Sequence, residues 1–480
     1  MEFEKPLGAQ LTNIPGMLVF DLSVHGDARG WFKENWQRAK MVELGLPDFG
    51  PVQNNISFNA SRGVTRGIHA EPWNKLISVA AGSVFGAWVD LRPGESCGEV
   101  FTCVLDASKA VYVPRGVGNS YQALEDGTAY TYLVDAHWSA QRKGEYTFVN
   151  PADPSLDIDW PIPLEEAALS EADRAHPMLA NAKPMEPLRI LVTGGKGQLG
   201  SALENLTRIR GLAGWEFVDL PDLDITSREQ LAKIDWPRYS TIVNCAGYTA
   251  VDAAELDRNR STAWAVNARG AANLAKIAVE QNLTLVHLSS DYVFDGTFDW
   301  HSEEEELSPL GVYAQTKAAA DAAVGVVPRH YIVRTSWAVG NGKNFVRTMC
   351  GLSDRCALPE DEPGYLAQVS VVDDQVGRLT FMSTLARAIV HLIETGAPFG
   401  TYNVSNGGEP ASWYEIARRV FALRNGNEDA VRPVSAQDYA ADSAGPVAPR
   451  PPSSLLDLSR LEATGFKPAR WEDELEAYLR

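Results

Sequence analysis

The sequence predicts a multidomain chain, an antiparallel all-β barrel or sandwich followed by an α/β domain with a parallel sheet. Three observations carry this. At 480 residues the chain exceeds what one hydrophobic core normally supports. Before about residue 175 come short runs rich in Val, Tyr, Phe and Trp, such as KLISVAAGSVFGAWVDLRPG, EVFTCVLDASKAVYVPRG and TAYTYLVDAHW, punctuated by Gly, Pro, Asn and Asp. Closely spaced strands of this kind build antiparallel sheets. Beyond that point apolar strand-like runs alternate with longer alanine-rich helical patterns, as in a parallel sheet with crossover helices. Between the halves lies RAHPMLANAKPMEPL, with three prolines and no sustained apolar period, which reads as a linker.

Composition excludes several classes. With 45% hydrophobic and 22% charged residues the chain reads as an ordinary globular protein. Its five cysteines (Cys97, Cys103, Cys245, Cys350, Cys356) show no CxxC pairing, which argues against a disulfide framework or a structural zinc site and points to a reducing cytoplasm. The start MEFEKPLGAQLTNIPG has no basic region followed by an apolar one, and no apolar run is long enough to span a bilayer. A formal charge of -19 repels nucleic acid, so any nucleotide is expected as a small ligand. The acidic run Ser302 to Glu306 reads as a solvated loop.

The second half opens with RILVTGGKGQLGSAL, an apolar strand running into Gly194, Gly197 and Gly200 and then a helix. The first glycine permits a tight turn, the second lets a pyrophosphate approach the backbone, and the third lets helix and strand pack closely. Asp219 ends a second strand, where an acid holds a ribose 2'-hydroxyl; Lys196 pulls the other way, which leaves NADPH and NADH both open. Further on, LTLVHLSSDYVFDG is an apolar strand ending in Ser289, Ser290 and Asp291, and YAQTK sets Tyr313 four residues before Lys317 on one helix face. A hydroxyl, a phenol and an ammonium beside a nicotinamide make a carbonyl-reduction site. Ser290 holds the carbonyl oxygen, Tyr313 donates the proton, and Lys317 lowers the phenol pKa and holds the ribose.

The GxxGxxG spacing resembles extended short-chain dehydrogenases. In order and spacing, TIVNCAGYTAVDAAE, AWAVNARGAANLA, LSSDYVFDG, RTSWAVGNGKNFVRTM, VSVVDDQVGRLT and GTYNVSNGGEPASWYEIA resemble the dTDP-4-dehydrorhamnose reductase family over about residues 188 to 480. The resemblance implies a Rossmann domain with a smaller substrate-binding lobe. It places cofactor on Gly194, Gly197, Gln198, Leu199, Gly200, Asp219, Asp224, Ile225, Ala246, Gly247, Tyr248, Tyr313 and Lys317. It places sugar near Thr249, Val251, Asp252, Asp291, Tyr292, Val293 and Trp337, with Arg334 and Asn344 on the same side and Asn267 shaping the site helix. Gly247 and GRLT depart from the family pattern.

In the first half GDARGWFKENW, VTRGIHAEP, AWVDLRPG, VYVPRGVGNSY and DIDWPIP resemble the dTDP-4-dehydrorhamnose 3,5-epimerase family, a cupin-like double-stranded barrel, over about residues 1 to 180, which leaves 181 to 187 as the linker. Arg66 and His69 stand three apart, hence on opposite faces of a regular strand; Gly67 allows a bulge that brings both inward. A histidine suits proton removal next to a ketone. The resemblance gives the orienting carboxylate to Asp173 of LSEAD, the opposing acid to Tyr132, enolate stabilisation to Lys75, and nucleotide contacts to Arg29, Glu34, Gln53, Asn55 and Arg66. Asn119 and Trp138 replace a usual histidine and tyrosine, and no spaced HxH pair is present, so the barrel is expected to hold no metal. Together the resemblances imply conversion of dTDP-4-dehydro-6-deoxy-D-glucose to dTDP-L-rhamnose in the cytoplasm, on a dTDP-sugar, with dimerisation through the barrel and no nucleic acid or membrane partner. The same chemistry on a UDP-sugar, and a non-catalytic nucleotide-binding regulatory protein, stand as alternatives; the latter predicts a degraded Ser-Tyr-Lys group.

Overall fold

In the first part of the chain β-branched and aromatic residues recur in short runs, and the strand pleat sorts them into an inner and an outer face. The computed structural model, which describes residues 4–138, 140–443 and 445–480, folds this part into two antiparallel sheets within the unit Met1–Pro187. Its strands are β1 (Gly8–Leu11), β2 (Leu18–Asp21), β3 (Val24–Asp27), β4 (Gly30–Lys33), β5 (Gln53–Asn59), β6 (Thr65–Ala70), β7 (Lys75–Ala81), β8 (Val84–Asp90), β9 (Val100–Leu105), β10 (Lys109–Val113), β11 (Val117–Ala123), β12 (Thr128–Val134) and β13 (Thr147–Phe148). One sheet has the order β1-β2-β10-β7-β12-β5 and the other β13-β6-β11-β8-β9; β3 and β4 form a separate hairpin. Ile77, Val79, Trp88, Val111 and Tyr130 fill the core.

Register breaks at one place that matters for chemistry. Asn119 of β11 pairs with His69 and Tyr121 with Arg66, so three steps on β6 face two on β11. Gly67 sits in the bulge at φ +121°, where a Cβ would lie 2.6 Å from the Ser120 Cβ. The extra residue turns Arg66 and His69 to one side, as the sequence suggested.

The stretch expected as a linker packs on this unit. Asn150 Nδ2 donates to the Arg174 carbonyl at 2.8 Å, the Met185 N–H donates to the Leu91 carbonyl at 2.8 Å, and Met185 lies buried beside Ile68 and Leu91. Prolines limit regular structure there to the short 3-10 turn Leu179–Asn181, but the apolar side chains still leave water.

The unit Leu188–Arg480 holds β14 (Arg189–Thr193), β15 (Trp215–Val218), β16 (Tyr239–Asn244), β17 (Thr284–Ser290) and β18 (His330–Thr335), which with the strand Gly400–Asn403 make a wholly parallel sheet, order β15-β14-β16-β17-β18 and then Gly400–Asn403. Crossover helices Gln198–Arg210, Ala271–Glu280, Val312–Val324 and Met382–Thr395 cover it. The chain leaves β14 for β15 on one side and returns to β16 on the other, so a crevice opens at the carboxyl ends of β14 and β16. A smaller lobe packs helices Phe345–Cys356 and Trp413–Asn425 with the paired strands Val369–Val372 and Val431–Val434. The acidic run keeps Ser302, Glu304 and Glu306 exposed, as expected of a solvated loop, yet it is also tied down: Glu305 ion-pairs with buried His301 at 2.8 Å, Glu303 accepts from the Asn403 N–H at 2.9 Å, and Glu304 meets Arg460 at 2.9 Å. No described helix is long and apolar enough to cross a membrane.

Gly67→Ala should destabilise the first unit by about 2–4 kcal/mol, because the methyl meets Ser120 and the positive φ disfavours any side chain. Amide hydrogen exchange checks this. Strands β6 and β11 should exchange faster while residues 188–480 exchange as in the parent, and unchanged β6 and β11 would show that the bulge tolerates a side chain.

Candidate active sites

In the first unit a cavity of about 640 Å³ lies between the sheets, lined among others by Arg66 and His69 of β6, Lys75 of β7, Tyr121 of β11, Tyr132 of β12, and Asp173 and His176. His69 and Tyr132 belong to different sheets, so they face the same cavity from two walls. His69 Nε2 meets Asp173 Oδ1 at 2.8 Å, which leaves Nδ1 as the ring's other nitrogen. Ser170 caps the short helix Glu171–Arg174 that carries Asp173. Burial works to raise the Asp173 carboxyl, but the His69 hydrogen bond and charge, the Ser170 hydrogen bond and the His176 charge together outweigh it and hold the group below its ordinary value.

Lys75 is buried, ion-pairs with Glu71, and lies 5.4 Å from the Tyr132 ring centre. Burial pulls its ammonium down to about 7. Burial, and then Tyr121, push the Tyr132 phenol above its ordinary value, so it keeps its proton at neutral pH. Asn119, where the related family has histidine, lines the cavity and accepts from the Tyr130 hydroxyl at 2.9 Å.

Several expected residues lie elsewhere. Arg29, at the tip of the β3–β4 hairpin, is 90% exposed and ion-paired with Asp27; Glu34 pairs with Lys40 at 2.6 Å. Neither residue lines the cavity. Gln53 and Asn55 bond each other at 2.7 Å on edge strand β5, on the face that also presents the cavity-lining Ser57. Trp138 is exposed and gives its N–H to Gln53. His176 is the residue that sequence reasoning missed. It falls in the proline-rich stretch, and only tertiary packing stacks it on Phe148, at 4.7 Å between ring centres, beside Asp173.

In the second unit a cavity of about 540 Å³ lies at the crevice. Gly197, Gln198 and Leu199, then Ala246, Gly247, Tyr248, Thr249 and Val251, and Ser290, Asp291, Tyr292, Tyr313, Lys317 and Trp337 line it. Gly194 adopts φ +68°, and a Cβ at Gly200 would lie 2.4 Å from the Gly194 carbonyl, so the turn and the helix contact both demand glycine. A Cβ at Gly197 would meet only one atom, at 3.1 Å, so the loop presents open backbone above the helix N-terminus. Such a cradle fits a pyrophosphate. Asn267, in the π-helix Trp264–Gly270, accepts from the Tyr248 N–H at 2.7 Å and donates to Thr316 at 2.9 Å, pinning the segment after β16 to the Tyr313 helix.

Ser290 donates to Asp291 Oδ1 at 2.9 Å and accepts from the Tyr292 N–H at 3.2 Å. Burial, then the Asp291 carboxylate and the Tyr292 phenol, push Tyr313 well above its ordinary range. This corrects the expectation that Lys317 lowers it. Lys317 instead donates to the Leu288 carbonyl, and burial brings its own ammonium down to about 8. A phenol that grips its proton suits donation to a stronger base such as an alkoxide. Burial also pushes Asp291 up to about 6.

Other expectations are corrected by packing. Val293 is wholly buried beside Phe294 and Leu456. Arg334 turns away to buried Asp321 at 3.0 Å, and Asn344 caps helix Phe345–Cys356. Asp252 is held by Arg450 at 2.8 Å. Asp219 accepts from the Lys196 N–H at 2.8 Å; Asp224 closes a turn with Thr226 at 2.8 Å and Ile225 packs under Gly270, so these three lie outside the lining. Trp413, which lies in the stretch GTYNVSNGGEPASWYEIA without a role assigned to it there, stacks on Trp337 at 3.6 Å and lines both this cavity and a neighbouring one of about 530 Å³ that holds Arg450 and Tyr439.

A base and an acid across one cavity, and a hydroxyl, phenol and ammonium beside a glycine-rich turn in another, mark a two-domain enzyme that moves protons in the first unit and carries an oxidoreductase-type site in the second. The family model described as RmlD substrate binding domain matches residues 188–480, and that described as dTDP-4-dehydrorhamnose 3,5-epimerase matches residues 11–181. The chain belongs to both families, one in each unit. The "Protein RmlC homolog" of Streptococcus pyogenes is 52% identical over 191 residues, covering 38% of this chain and 96% of that protein. The dTDP-4-dehydrorhamnose reductase of Aggregatibacter actinomycetemcomitans is 34% identical, covering 60% of this chain and 97% of that protein. The crystal structure of the Bacillus anthracis dTDP-4-dehydrorhamnose reductase in complex with NADP matches with a TM-score of 0.53 at 34% identity, covering 61% of this chain and 98% of that one.

The buried Asp291 carboxyl yields a stability prediction. Its folded pKa of about 6 lies above the unfolded value near 3.8, so native protein binds more protons between those values and stability falls as pH rises through that window. The contribution lost is about 3 kcal/mol. Denaturant unfolding of the parent and of Asp291→Asn from pH 4 to pH 8 should show the variant gaining relative stability across this range; a constant difference would mean that Asp291 titrates normally.

Proposed function

We propose that the chain converts dTDP-4-dehydro-6-deoxy-D-glucose to dTDP-L-rhamnose, by 3,5-epimerisation in the first unit (domain 1–180, joined through 181–187) and reduction of the C4 ketone in the second (188–480). One observation carries the reading: His69 with its Asp173 partner, and Tyr132, reach a single cavity from opposite sheets. In the first unit, of cupin-like double-stranded barrel type, His69 removes a proton from the carbon next to the ketone on one sugar face. The Lys75 ammonium stabilises the enolate oxygen, and Tyr132 returns a proton to the opposite face. Asp173 orients the imidazole and offsets the charge it gains. Arg66 holds the diphosphate.

In the second unit, of Rossmann type, the loop at Gly197 to Leu199 and the segment Ala246 to Tyr248 fit a nicotinamide dinucleotide, with Lys317 at its ribose. That cofactor, NADPH or NADH, supplies the hydride. Ser290 and Tyr313 hold the C4 oxygen, and Tyr313 protonates it as the carbon is reduced. Tyr292, Thr249, Val251 and Trp337 enclose the sugar. A cytoplasmic location agrees with five free cysteines. A second copy of the chain covers exposed Ile56 and Phe58 on edge strand β5, giving a homodimer through the first unit.

Two variants separate the activities. His69→Ala should lower solvent deuterium uptake at C3 and C5 by roughly 10²–10⁴-fold while sparing reduction of a pre-epimerised ketone, and Tyr313→Phe should do the reverse. Cofactor oxidation that survives Tyr313→Phe unchanged would sink the reductase assignment. Phe58→Lys should halve the mass measured by sedimentation; an unaltered mass would place the dimer contact elsewhere.

A further inference from the structure

We propose that His69, Asp173 and His176 together bind a divalent transition metal, Zn²⁺ foremost, and that the bound ion switches off the base of the first unit. The ligand atoms of the three residues all lie within 4.8 Å of one another. Asp173 Oδ1 stands 2.8 Å from His69 Nε2 and 3.9 Å from His176 Nδ1. Neighbouring ligands of a tetrahedral zinc ion stand about 3.3 Å apart, since Zn–N and Zn–O bonds are about 2.0–2.2 Å. The two distances to Asp173 straddle that value and need shifts of about half an ångström, while the two imidazole nitrogens, within 4.8 Å of each other, close by at most about 1.5 Å to admit the ion.

A second observation points the same way. His176 Nδ1 is buried and has no hydrogen-bond partner, although a buried ring nitrogen without one is costly. Its ring is already oriented, stacked on Phe148 and edge-on to His69 at 5.3 Å between centres, so coordination would freeze little further motion. Two imidazoles and one carboxylate match the borderline softness of Zn²⁺, and the cavity leaves a fourth position for water. The Asp173 charge favours the ion; Lys143, on the cavity wall, opposes it.

The consequence follows from imidazole chemistry. In the metal-free unit His69 presents Nε2 to Asp173 and keeps Nδ1 for substrate. A metal on Nε2 takes that nitrogen's lone pair, so the neutral ring must carry its proton on Nδ1. Nδ1 can then no longer accept one. The ion thus blocks epimerisation while leaving the second unit's Ser-Tyr-Lys group untouched. This inhibitory consequence rests on the epimerase reading above; metal binding itself does not.

The test uses the full chain. Co²⁺ titration of metal-free protein should give the visible d–d bands of a low-coordinate site, and His176→Asn should weaken the titrated affinity at least tenfold. In the parent, Zn²⁺ should suppress deuterium uptake at C3 and C5 of dTDP-4-dehydro-6-deoxy-D-glucose, reversibly with EDTA, and leave cofactor oxidation on a pre-epimerised ketone unchanged. Inhibition of the variant, relative to its own metal-free rate, should need at least tenfold more Zn²⁺. Co²⁺ that shows only its aqueous spectrum, or equal affinity in both proteins, would overturn the site. His176-dependent Co²⁺ binding without any deuterium uptake in metal-free parent would uphold the metal site and overturn the epimerase reading instead.

Discussion

Both units meet one constraint: side chains that carry protons must be kept out of water without losing the protonation state that the chemistry requires. Burial raises a phenol and lowers an ammonium, because each shift favours the neutral form. Tyr132 and Tyr313 both rise and so both keep their protons; Lys75 and Lys317 fall to about 7 and about 8. A phenol of this kind is a poor base and a proton donor only to something strongly basic, such as a carbanion or an alkoxide. In the proposed reactions desolvation thus assigns direction: each tyrosine gives its proton.

The fold meets the constraint differently in the two halves. In the first unit, two sheets enclose a cavity, and a one-residue bulge at Gly67 is what swings His69 into it beside Arg66. Asp173 then reaches the ring from a short capped helix outside both sheets. In the α/β unit no bulge is needed, because every parallel strand delivers its carboxyl end to the same crevice. Ser290 ends β17, Gly197 follows β14, and Ala246 follows β16; Asn267 fastens this last segment to the helix bearing Tyr313 and Lys317.

Much of this was legible in the sequence, and the unread parts have a common cause. The glycine loop, the Tyr-Lys spacing and the Gly67 bulge are local patterns, with their geometry written into neighbouring residues. His176 and Trp413 are not local: one sits in a stretch that looks like a spacer, the other begins a helix of the smaller lobe, and only packing brings each to its cavity. Charge was read poorly for the same reason. The run Ser302 to Glu306 stays partly exposed but also holds neighbouring His301 and finds Asn403 and Arg460 far along the chain, and Arg334 turns from the expected substrate side to Asp321. The effect of Lys317 on Tyr313 was misjudged because spacing reveals neighbours and not desolvation.

Joining the two chemistries in one chain has a thermodynamic sense. Inverting centres beside a ketone is reversible, whereas reducing that ketone removes the acidity on which further exchange depends. The central claim, that one chain performs both, is tested most directly by NMR of the product formed from dTDP-4-dehydro-6-deoxy-D-glucose and NADPH in D₂O. The account predicts dTDP-L-rhamnose with deuterium at C3 and C5. A 6-deoxy-D-hexose product retaining hydrogen at both carbons would contradict it.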